Sequence, residues 1–580
     1  MYRTCSLLVI VFFHLQCSPE HQTNRDLPNI LLILTDDQGW GDVGFHDNSS
    51  VQTPNLDKLA GESVEFTRFY VSPVCAPTRA SLLTGRYHLA TGVSWVTHRR
   101  EVMRESEVTI AELLKAHGYR TGLFGKWHNG KQFPHDPNGQ GFSEFLGFEE
   151  GHFNNYFDAL MTHNQRTAAT TGYLPDVLTD SAISFMQREG PFFCYLAYNT
   201  PHSPFQVPDA YFDLYKDQGL DDKMAAVYGM VTNIDDNIGR LMKALENSGK
   251  HRETIVVFLS DNGPNGHRYN GGFKGIKAHV DEGGVRVPFL IRYPERSWDN
   301  GTQISSMAAH IDVLPTLAEF TGLSLPDSLE VHGKSLVGTI EKQYTDTSRY
   351  FFTHHVRRAF DTIPGAVRTN RFLLSLKPED TSLYDLINDP FQKTDLVDSM
   401  PEQVLQLKKK YHDWFARVTK EGIEPEPVEI GHSGIPVVEF PAQEVTSREN
   451  VRFKGSEGWA NDYLIDWKDG STVTWTFRSV AAKEYEILVQ ASCGAGAYPQ
   501  INLRIGEQDL TGSFDTLTIK RPMESPDRVK RGEVYEYNWP EVSMGKMIIS
   551  EGVNRLELTA HDPYDLEVKS VILKLIEHDE

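Results

Sequence analysis

Five apolar, β-type runs constrain this chain more than any other feature. They are residues 29–35, 119–125, 192–199, 254–260 and 287–293. Each run is continuous rather than alternating. A strand that is apolar along its whole length has to be covered on both faces, as in a mostly parallel sheet flanked by helices. Helical patterns lie between the runs, at 109–115 and 226–245. The expected class is α/β, with one mostly parallel sheet built from about residue 28 to residue 326.

The runs end in polar residues of particular kinds. Residues 29–35 lead into Asp36-Asp37, and 254–260 into Asp261-Asn262. Residues 119–125 lead into Lys126-Trp127-His128, and 192–199 are followed by Pro201-His202. Ligands of open parallel sheets bind outside the carboxyl ends of the strands, so these residues can meet in space. Three carboxylates and an amide oxygen aimed at one point repel unless a cation lies between them. An all-oxygen set suits a hard ion, Ca²⁺ or Mg²⁺, rather than zinc. A single Asp at a strand end is often only a helix cap; two doublets after two buried strands weaken that reading. Lys126, Lys277 and Arg79 are suited to an anionic group, and His128 and His202 to proton transfer.

Cys75 opens Cys75-Ala76-Pro77-Thr78-Arg79. Pro77 suits the first turn of a helix, which puts Cys75 at its positive end and Arg79 one turn further along the same face. The other cysteines are Cys5, Cys17, Cys194 and Cys493. Two fall in a leader, and an odd three beyond it form no disulfide framework. Cys194 and Cys493 read as small buried hydrophobes. The leader is a charged start and the apolar stretch 7–15, read as a signal peptide over residues 1–20. Cys17 stands where a lipoprotein cysteine would, although His14-Leu15-Gln16 fits a lipobox poorly. The expectation is an exported protein that is periplasmic, secreted or lipid-anchored at a bacterial surface, with no transmembrane segment.

Beyond the α/β region the pattern changes twice. Residues 346–420 combine strand-like runs with a charged helix at 403–417, a small α+β subdomain. After a Glu/Pro/Gly-rich linker, short alternating runs such as 471–477, 485–491 and 555–558 indicate an antiparallel β-sandwich over 435–580. Trp459, Tyr463 and Trp467 in it suit either sugar stacking or a core. The formal net charge, −22, excludes a general nucleic-acid or anionic-membrane binder, which needs a basic face.

The motif Cys75-Ala76-Pro77-Thr78-Arg79, with Ser81-Leu82-Leu83-Thr84-Gly85-Arg86, resembles the signature of the formylglycine-dependent sulfatases. The resemblance continues through Asp36-Asp37-Gln38-Gly39, residues 118–128, Asn199-Thr200-Pro201-His202, Ser260-Asp261-Asn262-Gly263, residues 277–288 and residues 383–390. It covers about residues 28–418 and resembles the bacterial polysaccharide sulfatases most. It implies an alkaline-phosphatase-like fold, with a catalytic domain over 27–345 and its C-terminal subdomain over 346–420. It also implies that Cys75 is oxidised to formylglycine (3-oxoalanine) by a formylglycine-generating or anaerobic sulfatase-maturing enzyme. Asp36, Asp37, Asp261, Asn262 and residue 75 would hold Ca²⁺, Mg²⁺ being the lesser choice. Arg79 would hold the formylglycine, Lys126 and Lys277 the sulfate oxygens. His128 would assist breakdown of the intermediate, and His202 would protonate the leaving oxygen. Lys274 is the fallback for Lys277.

The implied substrate is a sulfated carbohydrate. Candidate contacts to it are His98, Arg99 and Arg100, and His267 and Arg268 in the loop 265–269. Two other functions compete: a phosphonate or phosphodiester hydrolase of the same superfamily, and a sulfated-glycan-binding protein with a dead site.

Overall fold

The computed structural model describes residues 27–576 apart from 299, 343–345, 358, 456–457, 495–497 and 515–517. The leader, with Cys5 and Cys17, lies outside the described residues. The main sheet has ten strands: β1 (Asn29–Thr35), β2 (Val64–Phe66), β3 (Arg120–Lys126), β4 (Glu144–Phe148), β5 (Leu160–His163), β6 (Arg166–Ala169), β7 (Phe192–Ala197), β8 (Thr254–Ser260), β9 (Phe289–Arg292) and β10 (Thr302–Ile304). Their order is β10-β2-β9-β8-β1-β7-β3-β4-β5-β6. The central strands β8-β1-β7-β3-β4 are all parallel. The run at 287–293 enters as β9, antiparallel to β8, so the sheet is mixed. Parallel neighbours need a crossover, usually a helix. Between β8 and β9 the only helix among the described residues is the four-residue Glu282–Val285, followed by the short strand Arg286–Val287.

β1 shows why its sequence is apolar throughout. Ile30, Leu32 and Leu34 pack into one cluster, with Ala76, Ala80, Leu82 and Leu83 of the helix Cys75–Thr84. Leu31 and Ile33 pack on the other face, against the helices Leu174–Gln187 and Asp222–Asn247. Each such side chain contributes ~1.5–3 kcal/mol on burial. A charge at Leu32 would break the central layer.

A four-stranded antiparallel sheet, 351–385, carries the helix Pro401–Val418. Beyond it, two sheets face each other around one apolar core that includes Trp475, Phe477, Ile487 and Leu558. Tyr463 and Trp467 are buried in this module, whereas Trp459 is 36% exposed. Among the described residues no helix is long and apolar enough to cross a membrane.

Candidate active site

The strand ends converge. β1 delivers Asp36 and Asp37, β8 delivers Asp261 and Asn262, and β3 ends on Lys126. Cys75 is the first residue of its helix, preceded by Val74, which offers no side-chain cap. Uncapped N–H groups at that end favour a negative group. Gly85 ends the helix at φ 66°, a left-handed conformation that suits a residue without a Cβ.

Asp36, Cys75 and Asp261 each offer a ligand atom, all within 4.8 Å of one another, and so do Asp36, Asp37 and His202. Arg79 is fully buried. Its Nη2 and Nε donate to Asp261 Oδ2 at 2.8 and 3.2 Å, and its Nη1 donates to the Lys126 carbonyl at 2.8 Å. Lys126 Nζ lies 2.6 Å from Asp36 Oδ2, and Lys277 Nζ 2.5 Å from Asp37 Oδ1. Lys274 instead donates to the Tyr384 hydroxyl at 2.7 Å, so Lys277 is the lysine of this cluster.

Asp36 Oδ1, Asp37 Oδ2 and Asn262 Oδ1 are buried and have no hydrogen-bond partner. Buried acceptors are normally satisfied, and leaving one unmade costs ~1–3 kcal/mol. Three such oxygens beside two carboxylate-bound cations fit a divalent cation with oxygen ligands. Asp37 and His128 also hold left-handed backbone, at φ 67° and 66°, a strained conformation common at functional sites.

The electrostatics divide the carboxylates. Burial raises the Asp36 carboxyl, but Lys126, His202, Arg79 and Lys277 together outweigh it and hold it well below the usual range. Asp37 is likewise lowered: burial opposes, and Lys277 and His202 prevail. Burial and then the Asp36 charge push Asp261 up to about 7, against Arg79 and Lys126. Burial also pushes the Cys75 thiol up, despite Lys126 and Lys277. A protonated thiol is a poor nucleophile.

Burial, reinforced by Lys126, drives His128 well down, so its ring is neutral. Its Nε2 lies 3.0 Å from the Val96 carbonyl. Gly151 presses on this ring so closely that a Cβ there would lie 2.1 Å from Nε2. His202 lies with Nδ1 2.6 Å from the Ser203 carbonyl and Nε2 3.8 Å from Asp37 Oδ2. Burial and Lys277 lower its pKa, with Asp37 and Asp36 acting against them.

A cleft of about 800 Å³ opens over this cluster. Cys75, His128, His202 and Lys277 line it from the α/β region, as its floor, and Trp459, Glu533, Tyr537 and Trp539 line it from the β-sandwich, as a wall. The expected substrate contacts are distributed unevenly. His98 lines the cleft, its Nδ1 2.9 Å from the Gln443 carbonyl. Arg99 binds Glu444 at 3.0 Å and the Glu426 carbonyl, as a strut between modules. Arg100 donates to Ser94 Oγ at 3.1 Å. Arg268 forks onto Asp42 and donates to the Asp37 carbonyl, bracing the loop that carries the carboxylates. His267 is exposed, outside the residues that line the cleft.

Two cleft residues were not anticipated. His152 has both ring nitrogens buried and unpartnered, and its ring is 6.1 Å from that of His202. Glu533 accepts from Ser203 Oγ at 2.5 Å, beside the His202 loop. No local pattern in the sequence marks either one.

The family model "Sulfatase" matches residues 28–323, and "N-sulphoglucosamine sulphohydrolase, C-terminal" matches 275–420. An ulvan-active sulfatase of Formosa agariphila is 30% identical over 434 residues, 69% of this chain and 84% of that protein. An N-acetylgalactosamine-6-sulfatase of Mus musculus is 32% identical over 367 residues, 56% and 68% of the two chains. The solved structure of Ps i-CgsB in complex with k-i-k-neocarrahexaose superposes with a TM-score of 0.64 at 29% identity, covering 67% of this chain and 93% of that one.

Proposed function

The chain belongs to the sulfatase family and is a sulfuric ester hydrolase; from that premise we propose that it removes sulfate from a sugar of a sulfated polysaccharide or oligosaccharide, with formylglycine at position 75 as the nucleophile. The carrying observation is Cys75 itself. It stands at an uncapped helix start, within ligand reach of Asp36 and Asp261, in a cleft shared with Lys277 and His202. The sugar class is supported by what the relatives are described as doing, an ulvan-active enzyme and a carrahexaose complex among them.

Asp36, Asp37, Asp261 and Asn262, with residue 75, would hold the divalent cation, for which we propose calcium. When bound, it supplies positive charge to the sulfuryl oxygens and to the nucleophile. Lys126 and Lys277 would bind the remaining sulfate oxygens. One hydroxyl of the hydrated formylglycine attacks sulfur as its proton passes to the Asp261 carboxylate, which lies within ligand reach of residue 75, and the bond from sulfur to the sugar oxygen breaks. His202, in its imidazolium form with Nδ1–H held by the Ser203 carbonyl, gives its Nε2 proton to that oxygen and is left neutral. The neutral His128 then takes the proton of the second hydroxyl. The C–O bond to sulfate breaks, sulfate leaves, and the aldehyde returns without water attacking sulfur. Arg79, fixed on Asp261, keeps the nucleophile's helix in register with the carboxylates.

The reading includes export to the periplasm, medium or bacterial surface, and conversion of Cys75 by a maturing enzyme. The test is sulfate release from a panel of defined sulfated mono- and oligosaccharides by the converted enzyme. Turnover of phosphonate or phosphate diesters with no release from any sulfate ester would overturn it.

A further inference from the structure

The sulfatase family models end at residue 420, yet part of the lining of the cleft that holds Cys75 comes from beyond it. The β-sandwich is fastened there by polar contacts at the cleft. The buried guanidinium of Arg531 donates to Asn154 Oδ1 at 2.5 Å and to the Asn154 carbonyl at 3.1 Å. Gln206 Nε2 reaches Asp527 Oδ1 at 2.7 Å, and Lys131 binds Glu439 at 2.9 Å. Buried, charge-assisted bonds of this kind fix one geometry. The module is therefore part of the cleft rather than a tethered neighbour.

The chemistry of that wall differs from the floor. The floor pairs Lys126, Lys277 and Arg79 with Asp36, Asp37 and Asp261. The wall carries aromatic side chains and carboxylates, and the lysines beside it are already matched: Lys131 of the α/β region by Glu150 and Glu439, Lys569 of the sandwich by Glu536. Glu533 is half-buried, accepts from Ser203 and faces His152 and His202. Trp459 lines the cleft and is 36% exposed, in a module whose Tyr463 and Trp467 are buried, with the Arg357 guanidinium 5.4 Å from its ring centre. A flat aromatic face covers the C–H side of a pyranose, and a carboxylate accepts from its hydroxyls. A cleft of about 800 Å³ lies near the upper end of the range for small-ligand sites, and one sulfate group occupies little of it.

We propose that the β-sandwich builds a second subsite, in which Trp459 and Glu533 bind an uncharged, hydroxyl-rich sugar ring next to the sulfated one. These two are specificity-determining residues for chain length and act on the sugar, not on the sulfate. The proposal rests on the sulfated-sugar reading above.

The test compares kcat/KM of the full-length wild type, Trp459→Ala and Glu533→Gln on three substrates. They are 4-nitrophenyl sulfate, a sulfated monosaccharide, and an oligosaccharide ending in that same sugar. The wild type is expected to favour the oligosaccharide over the monosaccharide. Trp459→Ala should lose about tenfold on the oligosaccharide, the scale of one lost aromatic contact, and less than about twofold on the other two. For Glu533→Gln the readout is the oligosaccharide-to-aryl ratio, which cancels any effect shared through His202; it should fall. An unchanged melting temperature shows that each variant is folded. Equal losses on all three substrates, or no preference for the oligosaccharide, overturn the subsite. Turnover of 4-nitrophenyl sulfate with none of any sugar sulfate overturns the sugar reading instead, and the subsite with it.

Discussion

Arg79 is the residue on which the carboxylate cluster depends before any cation arrives. Its side chain is fully buried and forks onto Asp261, with a third bond to the Lys126 carbonyl. Replacing it with methionine, of similar length and no charge, leaves Asp261 facing Asp36 without its nearest cation. Removing one partner of a buried pair costs ~3–5 kcal/mol, most of it the stranded charge. At ~2.1 cal/mol/K of unfolding entropy per residue over roughly 400 residues, that lowers Tm by about 4–6 °C. The assay is scanning calorimetry of wild type and Arg79→Met, each in chelator and in excess calcium. The deficit should be largest in chelator and shrink in calcium, because the cation then gives Asp261 a partner. Arg79→Met/Asp261→Asn should recover part of the loss, since neighbouring residues in one network are non-additive. A Tm within 1 °C of wild type in chelator would refute the reasoning (~0.8 kcal/mol on the same conversion).

Three further outcomes are expected. His202→Ala should lose ~10²–10⁴-fold on a sugar sulfate and far less on 4-nitrophenyl sulfate, whose phenolate leaves without a proton; equal losses would mean His202 only positions the loop. Asp36→Asn should abolish turnover and the calcium-dependent rise in Tm together, and a variant that kept either would contradict the shared cradle. The third outcome concerns acid. Burial pushes His88 down to about 4, and His310, His354 and His355 to about 3, so the unfolded chain binds more protons below the ordinary value of 6.5. Their stability is present above pH 6.5 and lost as pH falls toward 4, at ~1.4 kcal/mol per histidine per pH unit. Tm should therefore drop between pH 7 and 5, and His88→Gln should flatten that drop; a flat wild-type profile would contradict it.

The sequence made the centre legible because its signals are local. The apolar 29–35 requires two covered faces, and β1 divides its residues between two clusters. The doublets follow directly on their strands, so parallel β1 and β8 bring them together. The strand at 287–293 was expected, but its antiparallel direction depends on the missing crossover helix, which periodicity does not encode. The alternating runs beyond 435 indicated a sandwich, while nothing in them indicated where it docks. That is set by side chains hundreds of residues apart, such as Arg99 with Glu444 and Arg531 with Asn154. For the same reason Arg99 and Arg268 read as substrate contacts in sequence, although their guanidinium groups bind glutamate and aspartate in the folded chain. His152 and Glu533 face the cleft only because the two modules meet there.

The central claim is that residue 75 does its chemistry as an aldehyde hydrate and not as a thiol. Peptide mass spectrometry of residue 75, run on preparations of differing specific activity, tests it most directly. Activity should rise in proportion to the fraction carrying aldehyde or its hydrate, and protein with only the thiol should release no sulfate. Full activity in protein whose Cys75 is an intact thiol would contradict the account.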